Sequence, residues 1–181
     1  MPQALFPTLL GSSWEALPIS VRALHGDRAH LDARGRVEVR GDTRWLSRRL
    51  RKMLKMPEPI ADAPLRVEIS RDGNKEVWTR HFPDACLESH LSPSPRWPNA
   101  FAERLGGARL TFGFGVEQGQ LRWVTRSVRL LGMPLPLRWF EGIDARCSER
   151  DGRYRFDIAV RLPLVGLLVA YAGWLEIADA Q

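Results

Sequence analysis

Two cysteines, Cys86 and Cys147, are too few to build a disulfide framework, and a reducing compartment with both residues as thiols is expected. Histidine is scarce as well. His25, His30, His81 and His90 include no pair at the close spacing of a structural zinc site. Cys86 and His90 could share one strand face, with His81 and Glu88 nearby, but no metal and no cofactor is expected from such spacing. Lysine is almost missing, since three of the 27 basic residues are Lys and the rest Arg. Acidic residues number 21, which leaves a net charge of +6 and a pI near 10.1. That excess suggests attraction to an anionic membrane surface or an acidic partner. The arginine bias is also what GC-rich coding would produce, and nucleic acid is not an expected partner.

Several signatures are missing outright. The opening MPQALFPTLLGSSWE lacks the basic start, long apolar core and small-residue cleavage site of a secretory signal, so a cytoplasmic location is expected. No G-x-S-x-G is found. GFGVEQG, from Gly113 to Gly119, has the spacing G-x-G-x-x-x-G and precedes another extended stretch, so it does not read as a dinucleotide fingerprint. The most apolar stretch, Leu162 to Ile177, contains sixteen residues. As a helix it would reach roughly 24 Å, short of the ~30 Å hydrocarbon core. As a strand it would reach about 50 Å, apolar on both faces, as expected when a core covers one side and a helix the other.

What is present reads as one domain with a mainly β, α+β fold over residues 1–181. Helices are expected over about 13–25 and 43–56, and antiparallel strands over about 29–40 and 64–177. Ser12 and Glu15 have capping-box spacing, Pro18 interrupts that helix or starts another, and Gly26 is placed to end it. Alternation from Ala29 to Arg40 suggests a hairpin turning at Arg34-Gly35. LRVEIS and KEVWTRHF flank Asp72-Gly73, and IDARCSER and RYRFDIAVRLP flank Asp151-Gly152, both strong hairpin signals. About eight to ten strands follow, which predicts a large curved or barrel-like antiparallel sheet with two N-terminal helices packed on it. There is no βαβ alternation.

The second helix carries Trp45, Leu46, Leu50, Met53 and Leu54 on one face and Arg44, Arg48, Arg51, Lys52 and Lys55 on the other, with Arg49 at the border. Such a helix either packs its apolar face on the sheet with its cations in water, or lies on anionic lipid. Gly113 and Gly115 alternate with Phe112 and Phe114 and leave room for a crossing element or a ligand. GMPLPLRWF, Gly132 to Phe140, puts prolines and aromatics in a connection that either lines a cavity mouth or closes a core. Asp144, Glu149 and Glu141 could serve in acid–base chemistry or simply face solvent.

LFPTLLGSSWEALPISVRALHG, GRVEVRG, VWTRHF, ERLGGARLTF, LLGMPLPL and DGRYRFDIAVRLPLVGLLVAYAGWL occur in that order from Leu5 to Leu175. In this arrangement the chain resembles the domain-of-unknown-function 4166 family of bacterial proteins. The resemblance implies a domain that often follows an NAD-binding half similar to saccharopine dehydrogenase or short-chain reductases. The chain holds no such half. The family pattern near the end resembles G-L-I-x-H-Y-x-G-W-L; here Ala170 stands in the place of the histidine, while Tyr171, Gly173 and Trp174 are kept.

The expected function is a noncatalytic binding domain for an apolar or lipid-like small molecule, lined by Phe112, Phe114, Trp123, Tyr154, Phe156, Tyr171 and Trp174. Two alternatives are a substrate-recognition component for a separately encoded NAD-binding reductase-like partner, and a peripheral membrane module. The latter would use Arg44, Arg48, Arg51, Lys52 and Lys55 against an anionic membrane surface.

Overall fold

Short hairpin turns set the topology. Glycine or a polar residue takes the left-handed conformation in them, at Gly73 (φ 58), at Gln118-Gly119 (φ 51 and 75) and at Asp151-Gly152 (φ 57 and 73). This backbone twist matches that of paired strands. The computed structural model describes residues 4–178. Its strands are β1 (His30–Arg40), β2 (Ile60–Asp72), β3 (Lys75–His81), β4 (Cys86–Pro93), β5 (Ala100–Leu105), β6 (Ala108–Glu117), β7 (Gln120–Leu130), β8 (Met133–Leu135), β9 (Gly142–Arg150), β10 (Arg153–Leu162) and β11 (Gly166–Ile177). All pairings are antiparallel. The chain closes into a 10-strand barrel through β1–β11 on one side and β6–β7–β9 on the other, with β8 a short flap on β7.

The helices are shorter than the sequence predicts, and one is added. Leu5–Leu10 forms α1, Gly11–Trp14 a 3-10 turn, and Ile19–His25 forms α2 with Pro18 immediately before it. Proline interrupts the expected 13–25 helix because its ring clashes with the preceding turn. The second expected helix is trimmed to α3, Trp45–Met53. Strand β5, AFAERL, also goes unannounced, since its small alanines break the apolar alternation.

The stretch from 29 to 40 is one strand and not a hairpin. Gly35 instead lets β1 cross β11 at close range. A Cβ at Gly35 would overlap the carbonyl oxygen of Trp174, and a Cβ at Gly173 would overlap that of Arg36. With Gly35 paired to Leu175 and Val37 to Gly173, two glycines on facing strands open the space for this crossing.

One rim of the barrel is plugged. Leu5 and Phe6 of α1 and Val21, Leu24 and His25 of α2 are completely buried. The Phe6 ring lies 5.6 Å from Phe101, 5.5 Å from Phe114 and 6.3 Å from Trp123. Burying each large apolar side chain contributes about 1.5–3 kcal/mol. The Arg71 side chain, 2% exposed, fastens the plug: it donates to Leu24 O at 2.5 Å and Arg28 O at 2.8 Å and pairs with buried Glu76 at 3.2 Å. Its cation stands at the C-terminus of α2, where the helix dipole favours positive charge. Trp78 Nε1 donates to the other oxygen of Glu76 at 2.7 Å.

The opposite rim carries α3. Pairing between β1 and β11 stops at Arg40 and Ala170, leaving the carbonyls of Leu167 and Leu168 beyond the ladder. Buried carbonyls need donors. They receive Asp42 N (2.8 Å), Ser47 Oγ (3.0 Å) and Arg51 Nη1 (3.1 Å). Leu168 and Ala170 are buried on this outer side while Val169 is buried on the inner one, so the final strand is covered on both faces where α3 crosses it.

Candidate functional site

Hydrogen bonds between β7 and β9 hold only Leu121 to Trp123 against Cys147 to Ala145. Beyond Trp123, β7 departs and pairs instead with β8, Val128 to Leu130 against Leu135 to Met133. The ring is therefore split along a seam running toward the α3 rim, and the connection from Leu131 to Glu141 lies beside it. Leu131, Met133, Leu137 and Trp139 of that connection are exposed, so it does not close the core.

Inner-face burial follows the seam. Toward the plug, Ala33, Ile69, Phe101 and Leu121 are buried, whereas Ile143, Ile158, Val160 and Tyr171, on β9 to β11, are only half-buried. Register places these four together, with Ile143 opposite Val160 and Ile158 opposite Tyr171. Leu105 and Leu110 on β5 and β6 are half-buried too.

A polar pole stands between this half-exposed wall and the plug. Arg80 on β3 donates to Ser89 Oγ at 2.9 Å, lies 3.7 Å from Glu103 and stacks over Trp78 at 5.3 Å. Behind it, His25 Nε2 is 3.1 Å from Tyr154 Oη, whose hydroxyl donates to Cys147 Sγ at 2.8 Å. Burial, with help from the Arg71 and Arg80 charges, drives His25 down to about 3, so the imidazole is neutral. Burial pushes the Cys147 thiol up to about 11 and the Tyr154 hydroxyl well above its ordinary value. These directions oppose a nucleophilic cysteine, which needs a lowered pKa to supply thiolate. Three polar atoms of this interior, His25 Nδ1, Trp123 Nε1 and Thr125 Oγ1, are buried without a hydrogen-bond partner in the protein. Such orphaned groups are rare in folded chains and mark a place where a polar atom can be received.

Of the seven aromatics expected to line a ligand site, six share the interior. Phe112 lies 5.6 Å from Trp123, Phe101 5.1 Å from Phe114, Tyr154 6.4 Å from Phe156, and Phe156 6.2 Å from Tyr171. Phe112, Trp123, Tyr154 and Phe156 are buried core, and Phe114 and Tyr171 are half-buried. Trp174 is a correction. Strand alternation turns it to the outer wall, where the Arg153 guanidinium covers it at 4.4 Å. The room left by Gly113 and Gly115 also lies outside the barrel: Arg126 fills it over Gly113, and nothing stands within 4 Å of a Cβ at Gly115. Ala170 is on that same outer side, so the position where the family pattern has histidine does not reach the interior.

The charged set on α3 is rearranged as well. Arg44, Arg48, Lys52 and Lys55 are exposed as expected, together with Arg49. Arg51 is a second correction, because it is 2% exposed and spends its donors on Asp42 O, Ser47 Oγ and Leu168 O. The apolar stripe of α3 is only partly covered, with Leu46, Leu50 and Leu54 half-buried but Trp45 73% and Met53 66% exposed.

The remaining candidates are dispersed. Cys86 Sγ lies 3.8 Å from His81 Nδ1, His81 pairs with Glu68 and His90 with Glu88, all on the outer surface. Among the described residues no group of three or more His, Cys, Asp or Glu side chains converges to hold a metal ion. Asp144 is taken up by Arg146 at 2.8 Å, and Glu149 accepts the Ser20 amide at 2.9 Å. The outer wall of β9 to β11 has two depressions of about 400 and 470 Å³, edged by charged side chains of both signs among small and apolar residues. No helix among the described residues is long and apolar enough to cross a membrane.

A plugged antiparallel barrel, split along one seam onto a partly buried apolar wall with a polar pole behind it, is compatible with a binding domain. The chain belongs to the family described as Domain of unknown function (DUF4166), whose model matches residues 17–175. No curated protein matches it.

Proposed function

We propose that this domain binds an apolar or lipid-like small molecule, admitted through the β7–β9 seam. The observation that carries the reading is the unequal burial of one continuous inner face. Ile143, Ile158, Val160 and Tyr171 are apolar or aromatic and point inward, yet like Leu105 and Leu110 they are only partly buried, whereas the inner face toward the plug is sealed. A hydrophobic ligand there removes apolar surface from water, at about 25 cal/mol per Å². Arg80 and the Trp123 indole N–H stand deeper and suit a polar end on the molecule, because Arg80 meets Glu103 only at 3.7 Å.

Native mass spectrometry with solvent extraction of the purified protein tests the proposal, followed by titration with the fluorescent fatty acid cis-parinaric acid. An extracted apolar molecule, or saturable probe binding, is the expected result. Val160→Trp fills the open wall and should weaken probe binding about tenfold while leaving the melting temperature near that of the parent. A protein that yields no extract and takes up no probe would overturn the reading.

A further inference from the structure

The large hydrophobic side chains that remain exposed are not scattered. Among the described residues eleven are exposed, and all but Ile19 and Val124 belong to α3, to the turns at the α3 rim or to the strand ends and connection beside it. The most prominent are Leu164 at 92%, Leu131 at 78%, Trp45 at 73%, Met53 at 66% and Met133 at 63%. Leu164 occupies the tip of the β10–β11 turn at φ 64, a left-handed conformation that suits glycine or asparagine better than a bulky side chain. Nothing in the turn itself calls for leucine there.

Cations border this apolar rim. Arg44, Arg48, Arg49, Lys52 and Lys55 are all exposed along α3. The helix has no acidic residue in its first turn, and Asp42 and Glu58, the acids flanking it, are engaged by Arg44 at 3.5 Å and Arg51 at 3.5 Å. Ser47 and Arg51, held by the Leu167 and Leu168 carbonyls, fix the roll of α3 so that Leu46, Leu50 and Leu54 are half-buried and Trp45 and Met53 stay outside. The helix is thus held with one edge apolar and another basic, the arrangement of a helix lying in a lipid interface.

We infer that the α3 rim is a membrane-docking face whose partner is an anionic bilayer. Trp45, Met53 and Leu164 enter the headgroup region, and the α3 cations meet lipid phosphates. A second copy of the chain fits worse, because a symmetric contact would set the exposed cations of α3, Arg48, Arg49, Lys52 and Lys55 among them, against the same set. Docking stands apart from what the barrel contains. It also brings the seam to the bilayer, from which an apolar molecule could be drawn.

Sedimentation of the full chain with phosphatidylcholine vesicles, and with vesicles containing about one third phosphatidylglycerol, provides the test. Partition onto the anionic vesicles is expected to exceed that onto neutral ones by ~10-fold or more, and to collapse in about 0.5 M salt, where screening leaves a reach of a few ångströms. The pair Trp45→Ser and Leu164→Ser, and separately Arg48→Glu with Lys52→Glu, should each lower it by roughly tenfold at unchanged circular dichroism. Ile19→Ser, at the plugged rim, should leave it unaltered. Equal partition onto both vesicle types, indifference to both sets of rim variants, or a solution dimer dispersed by Trp45→Ser would each overturn the docking face.

Discussion

Arg51 Nη1 lies 3.1 Å from Leu168 O, so the polar edge of α3 is the one fully buried on the barrel wall, with Leu46, Leu50 and Leu54 half-buried beside it and Trp45 and Met53 outside. The same nitrogen also serves Asp42 O and Ser47 Oγ, at 3.0 and 2.8 Å. Arg51→Met removes these donors from buried acceptors and should cost about 2–4 kcal/mol in urea unfolding, whereas Arg48→Met should stay within about 0.5 kcal/mol. Similar losses from the two substitutions would show that Arg51 is not the pin.

His25 gives stability a pH slope. The unfolded imidazole takes up its proton near 6.5 and the folded one only near 3, so the unfolded chain binds more protons between those values. The contribution is full above pH 6.5, declines as pH falls through the window by up to ~1.4 kcal/mol per unit, and levels off near pH 3. Glu76, raised by burial against the pull of Arg71, acts in the opposite sense by losing stability as pH rises. Comparison of the parent with His25→Gln isolates the histidine. Chemical unfolding at several pH values between 7 and 4 should show a steeper acid loss in the parent than in the variant.

Arg71 and Glu76 form a buried pair, with side chains 2% and 0% exposed. Arg71→Met strands the carboxylate and releases the end of α2, so a loss of about 3–5 kcal/mol is expected. Arg71→Met with Glu76→Leu should recover a large part of it, because the uncompensated charge is gone. A double variant as unstable as the single one would place the loss in the α2 contacts alone.

Gly35 and Gly173 face carbonyls that leave no space for a Cβ. Either glycine changed to alanine should cost about 3 kcal/mol or more, read as a fall in melting temperature or in soluble yield. Gly115→Ala meets nothing within 4 Å and should stay neutral or gain up to ~1 kcal/mol through a less flexible unfolded chain.

Much of the architecture was legible. Asp151-Gly152 marks its turn, and the unbroken alternation from Tyr154 to Leu162 puts one face of β10 in the core, because side chains on a strand point to opposite sides in turn. Six of the seven chosen aromatics share the interior for the same reason. Trp174 fails by parity: it is even-numbered on a strand whose inner face carries Val169, Tyr171, Gly173 and Leu175. His25, Arg80 and Glu103 left little trace, since a lone histidine in a helix and charged residues in strands look like solvent-facing groups until a closed ring surrounds them.

The residues by themselves settle the strand alternation, the tight turns and the overall sheet, since all three depend on contacts between near neighbours along the chain. Closure, the split beside β7 and the direction in which α3 faces are long-range outcomes. Each is decided where strand pairing stops and leaves peptide groups that must find another donor or meet water. Periodicity could name an oily side and a basic side of α3, but only the two carbonyls of β11 determined which side would be buried.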